Sequence, residues 1–509
     1  MKKYRMVIWG MLVFLGMTSC DKYLDVTPKN VISMDDMESI KQSLASFLRN
    51  IRDDGWSSLP SSPFQGNTYG IVAYTEEWDL SQLAENDFTD DEKRICDWRN
   101  ESNQSLWGKY YSPIGFLNLI IHEAKTAEGD KTMRDYVMGE AYAMRAYIHF
   151  MLVNLYGKPY NEENLNTKAV PLKLNSNTED APSRNTVAEI YAAIESDFES
   201  VTLERSTQKE VYRQILSDLK EAEMRLQSTP TRESYNLMYC EEVINRLYAQ
   251  VYHFKAMSAA AEEEDWKNAI VYAERETNGK ELESNPEELK ALFNVGEGYS
   301  LKSQESPLRV KYGGSMGFGT LFSNKKPNET FRQAYFPEEN GDIREKLYYQ
   351  IVEYFDWGSF QTVKDLKINK YSSYDGWGGD YYYLFCAFRL AETFLIQAEA
   401  YVRTEQLEKA QTILRRFKEA RYTEAFQIPN TKEALLDEIL WERQKEFVAE
   451  GDVRWLDMKR LGVKTERTIG GETFKLNGYE DYRYAFPIPL SEINNNKYIE
   501  QNPGWILND

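Results

Sequence analysis

The residues of this chain best suited to chemistry are its aromatic side chains. There are 35 Tyr, 23 Phe and 11 Trp, and 14% of all residues are aromatic, more ring surface than a helical core of this size requires. Trp56, Trp78, Trp98, Trp357 and Trp377 fall in two stretches without sustained periodicity, 55–104 and 279–388, where a place in the core is not automatic. An indole or phenol face stacks on the apolar C–H face of a pyranose, while neighbouring amides and carboxylates bind its hydroxyls. Trp78-Asp79 with Gln82, Trp98-Arg99-Asn100 with Asn103, Tyr374-Asp375, and Trp377-Gly-Gly-Asp380 have that mixed character. Trp78, Trp98, Tyr374 and Trp377 are therefore the stacking candidates, and Asp79, Asn103 and Asp375 the hydroxyl ligands. For any one of them, packing within a loop is the competing reading. Trp→Ala at 78, 98 and 377 is expected to weaken binding without lowering the melting temperature. Trp107, Trp266, Trp441, Trp455 and Trp505 lie in helical patterns or near the C-terminus and read as core.

Other chemistries find little support. Gly313-Gly-Ser315-Met-Gly317 matches the bare nucleophile-elbow pattern, which needs a following helix and a later histidine. The last of only three histidines, His122, His149 and His253, precedes Ser315, so chain order excludes that triad. Asp87, Asp90, Asp91 and Glu92 lack calcium-loop spacing. Cys96, Cys240 and Cys386 are far apart without C-x-x-C spacing, which indicates buried free thiols rather than a disulfide framework or zinc site. No catalytic residue, metal or cofactor is expected. A carboxylate pair placed for glycoside hydrolysis stays open among 81 acidic residues.

Such rings need a rigid support, and composition says what kind. The chain has 509 residues, 42% hydrophobic and 28% charged, and so is globular. Its net charge of −20 excludes a general nucleic-acid binder, which needs a basic face to displace phosphate counterions. A polar helix is expected around 34–53. Apolar residues at 3-and-4 spacing then predict helical hairpins: one from Trp107 to Gly157, a second over 234–277, a third over 389–420. Recurrent helix pairs with small residues at their crossings suggest a tetratricopeptide-like solenoid. The segment Thr186 to Phe198 recurs 21 residues later from Thr207, each copy opening with a capping box, Thr186/Glu189 and Thr207/Glu210. The fold class is thus mostly α, a tetratricopeptide-like helical-hairpin scaffold supporting long irregular loop regions. Helical scaffold is assigned to 105–278 and 389–460, irregular regions to 55–104 and 279–388, and a C-terminal segment to 461–509. The two irregular regions are expected to converge on one face as a shallow aromatic-lined site.

Residues 1–19 read as a secretory signal, with Lys2, Lys3 and Arg5 before the apolar run Val7 to Gly16. Thr18 and Ser19 precede Cys20, the bacterial lipoprotein arrangement in which the cysteine is acylated and becomes the N-terminus. A short tether, 20–30, follows. No later run reaches the ~18 apolar residues of a membrane span, so anchoring through lipid on Cys20 is expected.

With Cys20 followed by Asp21-Lys22-Tyr23-Leu24-Asp25-Val26-Thr27-Pro28, the chain resembles the SusD/RagB family of outer-membrane lipoproteins. The resemblance continues through Glu140 to Phe150 with Leu155-Tyr-Gly157-Lys-Pro159, and through Arg389 to Tyr401. It extends over Glu442 to Gly451 with Arg454 to Arg460, and over Phe486 to Ile493 with Gln501 to Trp505. Two residues, Asp452 and Val453, stand between Gly451 and Arg454 where one is commoner in that family, and Cys386-Ala-Phe replaces its usual run before Arg389. The resemblance implies a single SusD-like domain over 20–509, lipid-anchored and exposed at the outer-membrane surface. It also implies a non-enzymatic protein that captures oligosaccharide for a SusC-like TonB-dependent outer-membrane transporter. A peptide-capturing RagB-like lipoprotein, a lipid-anchored glycoside hydrolase and a purely structural partner of the transporter are the alternatives. Independently of family, Glu442, Glu446 and Glu450 at i, i+4 spacing would repel one another. Arg443, Arg454 and Arg460 are the expected compensation, in a buried architectural cluster.

Overall fold

The computed structural model describes residues 34, 36–52, 75–79, 98, 104–159, 168–175, 204–228, 236–294, 303–313, 326–337, 341–356, 360–370, 382–450, 453–469, 471–496 and 498–505. Most of them are helical, as the periodicity predicts. The first hairpin pairs Gln104–Glu123 with Lys131–Tyr156. Asp130 caps the second of these helices by accepting from the Met133 N–H at 3.0 Å. Lys131–Tyr156 is buried on two sides, because Gln208–Ser228 packs on its other flank. The capping box that opens this third helix is formed: Glu210 accepts from the Thr207 N–H at 2.7 Å, and the Thr207 hydroxyl accepts from the Glu210 N–H at 3.3 Å. The earlier copy of this sequence, from Thr186, lies outside the described residues.

Glu241–Lys255 and Asp265–Thr277 make the second hairpin, and Leu390–Arg403 with Leu407–Glu419 the third. Leu390–Arg403 is the hub, packing also against Glu241–Lys255, Asp265–Thr277 and Lys432–Glu446. Nearly all of its residues are buried, including Glu392, Gln397 and Glu399. The helix at 37–52, read from sequence as polar, buries Met37, Ile40, Leu44, Leu48 and Ile51 along one stripe. Among the described residues no helix is long and apolar enough to cross a membrane.

The region 279–388 is less irregular than its composition suggests. Leu308–Gly313 pairs antiparallel with Tyr382–Ala387, and Tyr349–Asp356 forms a hairpin with Gln361–Ile368. The first ladder is buried through Leu308, Val310 and Leu384, whereas the second leaves Ile351 and Phe355 exposed. The C-terminal segment likewise holds a hairpin, Lys464–Ile469 with Glu472–Asn477. It is tied back to the first hairpin by Asn502, whose amide donates to the carbonyls of Tyr156 at 2.9 Å and Phe486 at 2.7 Å.

Among the described residues three clusters form the core. One joins the first three helices to Trp455, Tyr484 and Phe486; another lies around Leu390–Arg403. The third collects Trp78, Leu289, Phe293, Tyr335, Tyr348 and Ala449, where loops meet scaffold. Cys240 and Cys386 are both buried.

The expected ionic cluster exists, with different partners. Glu442 meets Arg344 and Lys445, Glu446 meets Arg344, Arg389 and Arg421, and Glu450 meets Arg389 and Lys370. Arg443, Arg454 and Arg460 face elsewhere. Arg443 binds Glu392 and Asp457, Arg454 binds Glu76, and Arg460 binds Glu399 and Asp457. Residues one apart on a helix point in different directions, so Arg443 cannot share a face with Glu442. Compensation comes instead from arginines more than 20 residues away in sequence.

Candidate ligand-binding region

The two aromatic-rich regions meet. Trp78–Asp79 forms a short antiparallel ladder with Lys326–Pro327. Next to it, the Asn328 N–H donates to the Glu77 carbonyl at 2.7 Å and the Asn328 side chain to the Glu76 carbonyl at 3.2 Å. The segment 75–79 is then bolted to the scaffold from below. Arg454 and Gln444 both donate to Glu76 Oε1, and Arg467 donates to the Thr75 carbonyl at 2.9 Å. Glu77 accepts from the Ala449 N–H at 3.1 Å. Ala449 holds φ at 58°, a left-handed conformation unusual for a residue with a Cβ, just beyond the end of Lys432–Glu446.

Glu77 is fully buried, and desolvation, only partly offset by the Ala449 amide and distant Arg454, pushes its carboxyl up to about 7. Nearby, burial opposes ionisation of Arg454, but Glu76 overrides it and holds the guanidinium charged. The ring hydroxyls of Tyr335 and Tyr349 are raised, first by burial and then by Glu77.

This places the candidates from the sequence in three groups. Trp78 is 5% exposed, within the third core cluster, and Trp98 is 1% exposed, within the first. Neither offers an open stacking face here, which corrects the expectation of surface rings. The Arg467 guanidinium lies 4.0 Å over the Trp98 ring, a cation–π contact occupying the face a sugar would use. Trp98 also holds φ at 61°, so the first aromatic region carries backbone strain where it enters the core. Asp79 is placed by its backbone pairing with Lys326. Asn103, Tyr374, Asp375, Trp377 and the lipidation candidate Cys20 lie outside the described residues.

Of the tryptophans read as core, Trp107 and Trp455 are buried, whereas Trp266, Trp441 and Trp505 are only half-buried. Sequence reasoning missed the Tyr349–Asp356 hairpin, where Ile351 is exposed along the strand and Phe355 and Phe360 are exposed at the tip, their rings meeting at 6.3 Å. Ile351 and Phe355 lie on one face of the strand with Glu353 between them, a pattern that singling out Trp and Tyr positions passes over. Among the described residues no group of His, Cys, Asp and Glu is arranged to hold a metal ion.

Helical hairpins with a hub helix, an arginine-rich buried network and loop regions meeting over it can be compared with known proteins. Residues 22–239 match a family described as starch-binding and associating with the outer membrane. Over those residues the sequence is similar to SusD-like proteins. It is 23% identical to the SusD-like protein P38 of Formosa agariphila, with 99% of each chain covered. A second protein of that organism, SusD-like protein P2, is 22% identical over 99% of this chain and all of its own. A SusD superfamily structure from Bacteroides thetaiotaomicron superposes with a TM-score of 0.68 at 20% identity, covering 92% of this chain and 100% of that one. A SusD-like carbohydrate-binding protein from Bacteroides vulgatus gives 0.61 at 18% identity, over 91% and 97%. The expected fold class and family resemblance therefore hold.

Proposed function

We propose that this protein is a lipid-anchored, surface-exposed glycan-binding protein that captures oligosaccharide and delivers it to a SusC-like TonB-dependent outer-membrane transporter. The observation that carries this reading is the match of residues 22–239 to a family described as starch-binding and outer-membrane-associated. Cys20, at the end of the signal-like segment, is the proposed lipid attachment. The ladder joining the two aromatic-rich regions supports a shared binding face over the scaffold. Tyr374 and Trp377 are the proposed stacking rings, with Asp79, Asn103 and Asp375 for hydroxyls. Buried Trp78 and Trp98 serve as the footings of the first region rather than as its contact faces.

A glycan array probed with the full chain in detergent tests the reading. Binding to at least one oligosaccharide class is expected, and Trp377→Ala should lower that affinity roughly tenfold to a hundredfold, the equivalent of about 1–3 kcal/mol of lost apolar contact. Capture of peptides but of no glycan would replace oligosaccharide by peptide as cargo. Sugar release from an incubated polysaccharide would make the protein a hydrolase instead.

A further inference from the structure

Between the Lys432–Glu446 and Val453–Leu461 helices lies an open cleft of about 280 Å³, at the small end of ligand-pocket sizes. Its apolar wall includes Leu440, Trp441 and Leu461, and its polar groups include Asp437, Gln444 and Arg454. Trp441 is half-buried, fixed by a T-shaped contact with Tyr335 at 4.9 Å, and borders the cleft as well. Arg454 and Gln444 both donate to Glu76 Oε1. Arg454 nevertheless keeps a buried Nε without a hydrogen-bond partner among the described residues. An orphaned buried donor costs about 1–3 kcal/mol, and the residue that carries it borders the cleft.

Charge narrows the occupant. Asp437 is exposed at the cleft, and Asp457, also bordering it, is already bound by Arg443 and Arg460. Carboxylates from both helices disfavour an anion, and the Arg454 guanidinium disfavours a cation. A neutral ring with one apolar face and hydroxyls around its rim meets the indole, the amide, the carboxylate and the guanidinium together. We propose that this cleft is a saccharide subsite for a single sugar unit or a short glycan terminus, separate from the loop-borne aromatic face and resting on the glycan-binding reading above. Since Arg454 and Gln444 also hold Glu76, an occupant here adjoins the anchorage of segment 75–79.

The test is saturation-transfer NMR on the full chain in detergent, with maltose, cellobiose and lactose as probes. At least one disaccharide should receive saturation. Leu440→Trp, which fills the cleft, should reduce that signal at least fivefold, and Asp437→Ala, a change at an exposed side chain, about twofold to tenfold. Thermal melts of both variants report folding. Unchanged transfer to every bound disaccharide in both variants, with melting preserved, overturns the subsite. So does absence of disaccharide transfer from a chain that binds an oligosaccharide on the array, which leaves the wider glycan reading standing. Failure of disaccharides and array glycans alike overturns both.

Discussion

In the helical scaffold Glu446 is surrounded by Arg344, Arg389 and Arg421, whereas at the loop junction the equally buried Glu77 accepts from the Ala449 amide and, at 3.5 Å, from the Thr75 hydroxyl. Burial opposes ionisation of both. For Glu446 the three guanidiniums overcome it and hold the carboxyl well below its usual range. For Glu77 nothing comparable does, and the carboxyl rises to about 7. The same side chain at the same depth thus becomes a permanent charge in one region and a titrating group in the other. The number of cations that the fold brings within reach decides which. In the scaffold Glu442, Glu446 and Glu450 each meet a cation, whereas at the junction Arg454 pairs with Glu76 and leaves Glu77 to hydrogen bonds and apolar packing.

The sharpest way to break that contrast is to remove a cation from the scaffold. Arg389→Met leaves Glu446 and Glu450 with one fewer guanidinium in the core, and a loss of about 3–5 kcal/mol in chemical denaturation is expected. Trp98→Ala, which a surface stacking role would leave neutral for stability, should instead cost about 3–5 kcal/mol and lower the melting temperature, because the ring is core. An unchanged melt would return Trp98 to the surface.

At the junction the effect depends on pH. The folded-state value of Glu77 lies above its ordinary 4.5, so the protonated form is favoured by folding. Its contribution is complete below about 4.5 and is lost as pH rises through about 7, a swing of up to about 3 kcal/mol. Hydrogen exchange of segment 75–79 should therefore quicken between those pH values, and Glu77→Gln should flatten the profile. His253 adds the opposite dependence within the scaffold. Burial lowers it to about 4, so stability from keeping it neutral is present above its ordinary value of 6.5 and lost as pH falls towards 4. The smallest effect belongs to an exposed cap: Thr207→Ala should cost about 1 kcal/mol by loss of its hydrogen bond to the Glu210 amide.

Much of this protein was legible in its residues because the relevant physics is local. Apolar spacing of three and four along 138–157, 234–277 and 389–420 marks a helix wherever it occurs, and Thr207 with Glu210 forms a cap without help from distant chain. The order of family motifs likewise needs no coordinates. Three-dimensional structure decided what depends on meeting. Glu442, Glu446 and Glu450 announce a need for cations, but Arg344, Arg389 and Arg421 supply it from remote positions. Trp78 and Trp98 occur in polar company, yet ladder pairing with Lys326–Pro327 and the approach of Arg467 carry them into the core. Spacing along one element determines what that element is. Which charges are neutralised, and which rings remain open, is set by packing between elements, where desolvation and long-range partners outweigh local sequence.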